Sequence, residues 1–205
     1  MRGTLCSMDE KKLFQKLTNP KKIQDFINTL KKRTDFSGHI VRSPRITLAA
    51  GDATCIEGAL VAAYALMRLG EKPLLLDLKV GARNENDVDH VVALFKKDGY
   101  WGAISKTSHA VLRYREPIYK SIRELALSYF HEYFTDDGKK TLRSFSEPFD
   151  VRKHFGTAWA ENDEDLFEIA VAIDESPHTM ILTPNMERNL RRADSIEISA
   201  GKLTD

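Results

Sequence analysis

Two residue types in this chain can do covalent chemistry together near neutral pH: a cysteine sulfur and an imidazole. Cys55 stands in Gly51-Asp52-Ala53-Thr54-Cys55-Ile56-Glu57-Gly58, at the head of an apolar run that continues to Leu69 and stops at Gly70. Thr54 followed three residues later by Glu57 is a capping-box pattern, which places Cys55 at the first position of a helix. The unpaired N–H groups and the positive dipole end at that position favour an anion, and the thiolate is the nucleophilic form of cysteine. A thiol in such a place can have its pKa lowered from about 8.5 to roughly 3.5–7.5. Taken alone, a free cysteine is more often a small buried hydrophobe. The residues downstream shift that balance.

His90 opens the run His90-Val91-Val92-Ala93-Leu94-Phe95, and Ser105 closes the run that begins at Tyr100. Lys96-Lys97-Asp98-Gly99 lies between them, and Asp-Gly between two such runs is a strong hairpin signal. A four-residue loop over 96–99 sets His90 opposite Ser105. A two-residue Asp-Gly loop sets His90 opposite Thr107 and Ser105 opposite Val92. In both registers His90 and Ser105 share a face, because strand side chains alternate with period two, whereas a three-residue loop with a bulge would break this alignment.

The elements that must hold these residues can be read from periodicity. After Cys55 the helix is apolar nearly all round, so it is expected to be buried. Residues 73–80 read as a strand with Leu74, Leu76, Leu78 and Val80 on one face. Residues 9–17 and 20–32 read as helices, the second started by Asn19-Pro20 and carrying Ile23, Phe26, Ile27 and Leu30 on one side. Residues 34–50 are mixed, with short β-like pieces at 39–41 and 46–48. Residues 106–115 connect to a helix over 117–134 begun by Pro117, and 141–145 read as a short strand. Helices are expected over 163–173 and 184–193, and the tail beyond is weakly specified. The fold class is therefore α+β, and 205 residues suit one domain: a helical extension over 1–45, a core over 46–145 and an appendage over 146–205.

Composition sets outer bounds. With 42% hydrophobic and 30% charged residues the chain can bury a real core, and a net charge of +1 points to neither nucleic acid nor a membrane. Charge is uneven: residues 1–45 hold eleven Lys or Arg against four Asp or Glu, while 161–175 hold seven acids and no Lys or Arg. These segments are expected to attract one another or to form two solvated faces. The basic helices carry no interleaved aromatics and no nucleic-acid motif. Two cysteines, Cys6 and Cys55, make no disulfide framework, so a reducing cytoplasm is expected. Residues 1–9 lack the apolar core of a signal peptide, and the longest apolar run, 59–67, is too short to cross a bilayer. The dispersed histidines show no metal-ligand spacing: His131-Glu132 lacks the second histidine that a zinc-protease motif needs, and His39, His154 and His178 read as surface or turn residues; Trp101 and Trp159 read as packing.

A cysteine at a helix start, a strand, a loop, a histidine at a strand start, a hairpin and a polar residue on the return strand form an ordered set. Together with Leu66-Met67-Arg68-Leu69-Gly70-Glu71-Lys72-Pro73, Asp89-His90-Val91-Val92-Ala93-Leu94-Phe95 and Gly99-Tyr100-Trp101, it resembles the transglutaminase-like thiol enzymes, a branch of the papain-like architecture, over residues 51–105. The resemblance implies a central buried helix carrying Cys55, packed on an antiparallel sheet, with extra helices at both ends of the chain. It implies Cys55 as nucleophile, His90 as general base and acid, and Ser105 in the third catalytic position, where the family usually has Asp or Asn. Serine there orients the imidazole without bringing charge, and Asp87, Asp89 or His109 could stand in for it. An oxyanion hole that includes the Cys55 N–H is implied as well, with no cofactor and no metal. The expected substrate is a peptide, protein or small-molecule amide; a binding module that has lost activity is the alternative.

Overall fold

Residues 7–33, 40–81 and 87–203 are described in the computed structural model of the chain. Its sheet is built around β3 (Leu74–Val80), whose residues from Leu75 to Leu78 are buried on both faces, as a central strand requires. One edge of β3 pairs with β4 (His90–Lys97). The other pairs with β7 (Leu142–Ser146) near its end and β8 (Phe149–Asp150) near its start. Beyond β4 lie β5 (Tyr100–Ile104) and β6 (Arg115–Tyr119), and beyond β7 lies β9 (His178–Met180); every pairing is antiparallel.

The hairpin adopts the shorter of the two registers. Lys97 faces Tyr100, leaving Asp98-Gly99 as the loop, and their φ values of 52° and 87° are the paired positive angles of a type I′ turn. Glycine is needed there because the left-handed region crowds a Cβ.

Helix α4 (Cys55–Arg68) lies across one face of the sheet. Thr54 and Glu57 make both halves of the capping box, at 3.3 and 2.8 Å, and every residue from Glu57 to Leu66 is buried. Its apolar side chains pack on Leu75, Val91, Ala93, Phe95 and Ile104. The same cluster takes in α2 (Pro20–Thr29) through Ile23 and Ile27, and α7 (Phe167–Asp174) through Ile169 and Ile173. Across the sheet, Leu76, Leu78, Val92, Leu94 and Ala103 pack on Leu125, Ala126 and Tyr129 of α5 (Ile122–Phe130). The protein is α+β, with helices on both faces of an antiparallel sheet.

Several segments differ from their expected form. The β-like piece at 46–48 lies in α3 (Pro44–Ala50); Ser43 caps it and Pro44 opens it, so cap chemistry overrides the β-branched Ile46 and Thr47. Pro117 does not start a helix. It sits in edge strand β6, where a missing N–H is tolerated, and α5 starts five residues later behind the Ser121 cap. The helix expected to run to 32 ends at Thr29, and Lys31–Lys32 (β1) pairs in parallel with Asp52–Ala53 (β2). That pairing ties the end of α2 to the turn that enters α4. The tail holds α9 (Ser195–Gly201), started by a capping box between Asp194 and Glu197. Helices α1 (Ser7–Lys16), α6 (Val151–Phe155) and α8 (Pro184–Arg188) complete the α-helices among the described residues. Among the described residues no helix is long and apolar enough to cross a membrane. Cys6, His39 and residues 82–86 of the loop expected over 81–88 lie outside the described residues.

Candidate active site

Cys55 is the first residue of α4, partly open to a cavity of about 540 Å³ that His90 also lines. The capping box holds the N–H groups of Thr54 and Glu57, and Gly58 N–H returns to Thr54 O. Cys55 and Ile56 keep N–H groups without an oxygen partner among the described residues. These two, with the N–H of Val91 on β4, favour the thiolate. Burial works against them, and the Asp77 carboxylate adds to it, so the thiol is pushed above its ordinary value. The lowering expected from the helix N-terminus alone does not hold here: removing the sulfur from water outweighs the dipole.

The capping box is itself deeply anchored. Glu57 is 0% exposed, and its two oxygens accept five hydrogen bonds: from Arg33 Nη1, from Arg42 N, Nε and Nη2, and from Thr54 N. Burial alone would raise the Glu57 carboxyl; Arg42 and the two backbone N–H groups win and hold it below its ordinary value. Arg42 also reaches Asp52 at 2.6 Å. The turn before Cys55 is thus clamped from two sides.

His90 is buried, and its Nε2 lies 2.7 Å from Ser105 Oγ. Ser105, fully buried, is fixed through its backbone: its N–H donates to Gln24 Oε1 and its C=O accepts from Gln24 Nε2, both at 2.9 Å. Helix α2 therefore braces the hairpin. Burial first, then the charges of His109 and Arg115, push the imidazole down to about 4. Near pH 7 the thiol and imidazole are both neutral. No hydrogen bond joins Cys55 to His90 among the described residues.

The other candidates for the third position are otherwise engaged. Asp87 accepts from the Thr141 hydroxyl and from Val88 N–H, and Asp89 accepts from Val80 N–H at 2.7 Å. His109 is exposed and makes no hydrogen bond to His90. Ser105 is the partner of His90. Gln24 was not singled out in the sequence, although its position between Ile23 and Ile27 puts a polar residue on the inner face of α2.

His178 is not the ordinary surface or turn residue it was expected to be: Nε2 lies 3.2 Å from Asp77 Oδ2, and Nδ1 lies 2.6 Å from Ser176 O. The acidic stretch 161–175 is in part bound within the fold. Asp165 accepts from Val41 N–H, Glu161 and Asp163 face Arg45, and Asp174 pairs with Lys79. Trp159 packs edge-on to Tyr64, as expected for a core residue.

Compared with known proteins, the chain matches no family model and no curated protein.

Proposed function

We propose that the chain is a thiol hydrolase or acyl transferase of the transglutaminase-like type, acting on an amide or peptide bond through a Cys55 acyl-enzyme. One observation carries the reading. His90 is pinned through Nε2 to Ser105 at 2.7 Å, on the wall of the cavity that Cys55 lines, which leaves Nδ1 as the ring nitrogen available for proton transfer.

In this reading both partners start neutral. Nδ1 takes the Cys55 proton as the sulfur attacks the carbonyl carbon. The N–H groups of Cys55 and Ile56, without an oxygen partner among the described residues, receive the charge that develops on the carbonyl oxygen. The imidazolium then gives its proton to the leaving amine nitrogen as the C–N bond breaks, and a thioester remains on Cys55. Water or an amine attacks the thioester, His90 takes the proton of that nucleophile, and the departing sulfur recovers it. Ser105 fixes the tautomer and the ring without a compensating charge, so the imidazolium is less stabilised than beside a carboxylate.

The rival reading, a peptide-binding cleft without chemistry, is favoured by the missing Cys55–His90 hydrogen bond. Incubation with a panel of N-acyl p-nitroanilides, acid quench and peptide mass mapping separates the two. An acyl adduct on Cys55 that His90→Gln abolishes supports the enzyme. No adduct on Cys55, or one that His90→Gln leaves unchanged, refutes it.

A further inference from the structure

Three carboxylates from distant parts of the chain meet beside the central strand. Asp77 lies within β3, Asp89 immediately before β4, and Asp174 at the end of α7. One oxygen of each lies within 4.8 Å of the others. Each acid has one oxygen engaged: Asp77 Oδ2 by His178, Asp89 Oδ1 by Val80 N–H, and Asp174 Oδ1 by Lys79. Asp77 is 2% exposed, and its Oδ1 is buried with no hydrogen-bond partner among the described residues.

A buried carboxylate oxygen without a donor is unfavourable, and two more acids beside it make it worse. The polar groups of the neighbourhood do not relieve it. Lys79 is spent on Asp174, and His178 holds the other oxygen of Asp77. Lys79 is the cation at hand, yet no donor reaches Asp77 Oδ1 among the described residues. We infer that Asp77, Asp89 and Asp174 form a binding site for a hard divalent cation, with His178 orienting Asp77 from behind.

The donor set selects the ion. All three groups offer oxygen, with no sulfur, which suits Mg²⁺, Mn²⁺ or Ca²⁺ rather than a thiophilic metal. His178 plays the outer part familiar from metal sites: its Nδ1 is fixed on Ser176 O, and its Nε2 holds Oδ2, so the carboxylate cannot rotate freely. The Asp174 side chain is 54% exposed, so the site opens to solvent, and water can fill the remaining coordination positions. Lys79 is a flexible, partly exposed side chain that can swing out as the ion enters. The inference does not rest on the thiol chemistry proposed above, although Asp89 also lines the Cys55 cavity and the Asp77 carboxylate raises the Cys55 thiol.

The test is Mn²⁺ titration of the chelator-treated full chain, read by the electron paramagnetic resonance of free Mn²⁺. Wild type is expected to bind one Mn²⁺ per chain, displaced by excess Mg²⁺ or Ca²⁺. Asp174→Asn and Asp89→Asn, each with its melting temperature checked, should weaken binding by about tenfold or more. Asp163→Asn, an exposed acid outside the cluster, should leave it unchanged. The inference is overturned by the absence of binding up to about 1 mM Mn²⁺, in which case a shared proton occupies the cluster. Binding that both cluster variants leave intact overturns it equally.

Discussion

The buried imidazole makes a quantitative prediction about acid stability. A free histidine takes up a proton near pH 6.5, whereas His90 in the folded chain does so at about 4. The folded-state pKa is depressed, so between these values the unfolded chain binds a proton that the native chain refuses. Stability from this group is complete above pH 6.5 and is lost as pH falls toward 4. The full penalty is about 3.4 kcal/mol, and about 2.5 kcal/mol of it is felt on going from pH 7 to pH 4.5. Asp77 acts in the opposite direction over nearly the same range, because its carboxyl is raised to about 6. The wild-type profile alone therefore hides both effects, and the difference from a variant exposes one. His90→Gln keeps a polar group within reach of Ser105 and removes the titration. Urea unfolding of both proteins at pH 7 and pH 4.5 should show the wild type losing about 2.5 kcal/mol more than His90→Gln over that interval. Parallel losses in the two proteins would refute the reasoning, as would an imidazole resonance of His90 that titrates near 6.5.

Four more substitutions have expected outcomes. Ser105→Ala leaves a buried ring nitrogen unpaired and should cost about 1–3 kcal/mol in urea unfolding at pH 7; Ser105→Asp should instead raise the His90 pKa by roughly 1–3 units, read by NMR titration. Glu57→Gln strips the charge that Arg33 and Arg42 share and should destabilise the protein by about 3–5 kcal/mol. That loss should be largest near neutral pH and shrink in acid, because the depressed Glu57 carboxyl contributes above about pH 4.3 and stops contributing as pH falls through its native pKa. Gly58→Ala should destabilise by about 1–3 kcal/mol in thermal or urea melts, although alanine is the better helix former. An added Cβ would stand 2.2 Å from Lys106 Cβ, and an unchanged melting temperature would show that the close approach of α4 to that segment is not rigid.

What could be read from the chain was local. The Thr54–Glu57 pair, the stop at Gly70 and the Asp98-Gly99 turn are signals within a few residues, and each took its expected form. The face shared by His90 and Ser105 followed from strand alternation for either the two- or the four-residue loop. Segments where local signals compete were misread. Ser43-Pro44 outweighed the β-branched residues after it, and Pro117 fitted an edge strand as well as it fits a helix start. The charged partners were hidden for a different reason. Glu57 with Arg33 and Arg42, and Asp77 with Asp174 and His178, are joined only by the fold, and no linear spacing reveals them. The thiol shows the limit most clearly: a helix start predicts a lowered pKa, yet the depth of burial, which sequence does not give, reverses the sign.

The central position of β3 also shapes how the chain must be made. Its partner β4 begins ten residues after β3 ends, so that pairing can form as soon as that segment is synthesised. The opposite edge waits for Phe145 and Phe149, which pair with Leu78 and Leu75 and lie about seventy residues further on. Until they emerge, a strand of leucines presents unpaired backbone groups and an apolar face to the crowded surroundings of the ribosome. Unprotected edges of that kind recruit other strands. A nascent chain stalled between residues 105 and 140 is therefore the species most prone to aggregate and the one a chaperone would have to hold, even though its cysteine, histidine and serine have all been made.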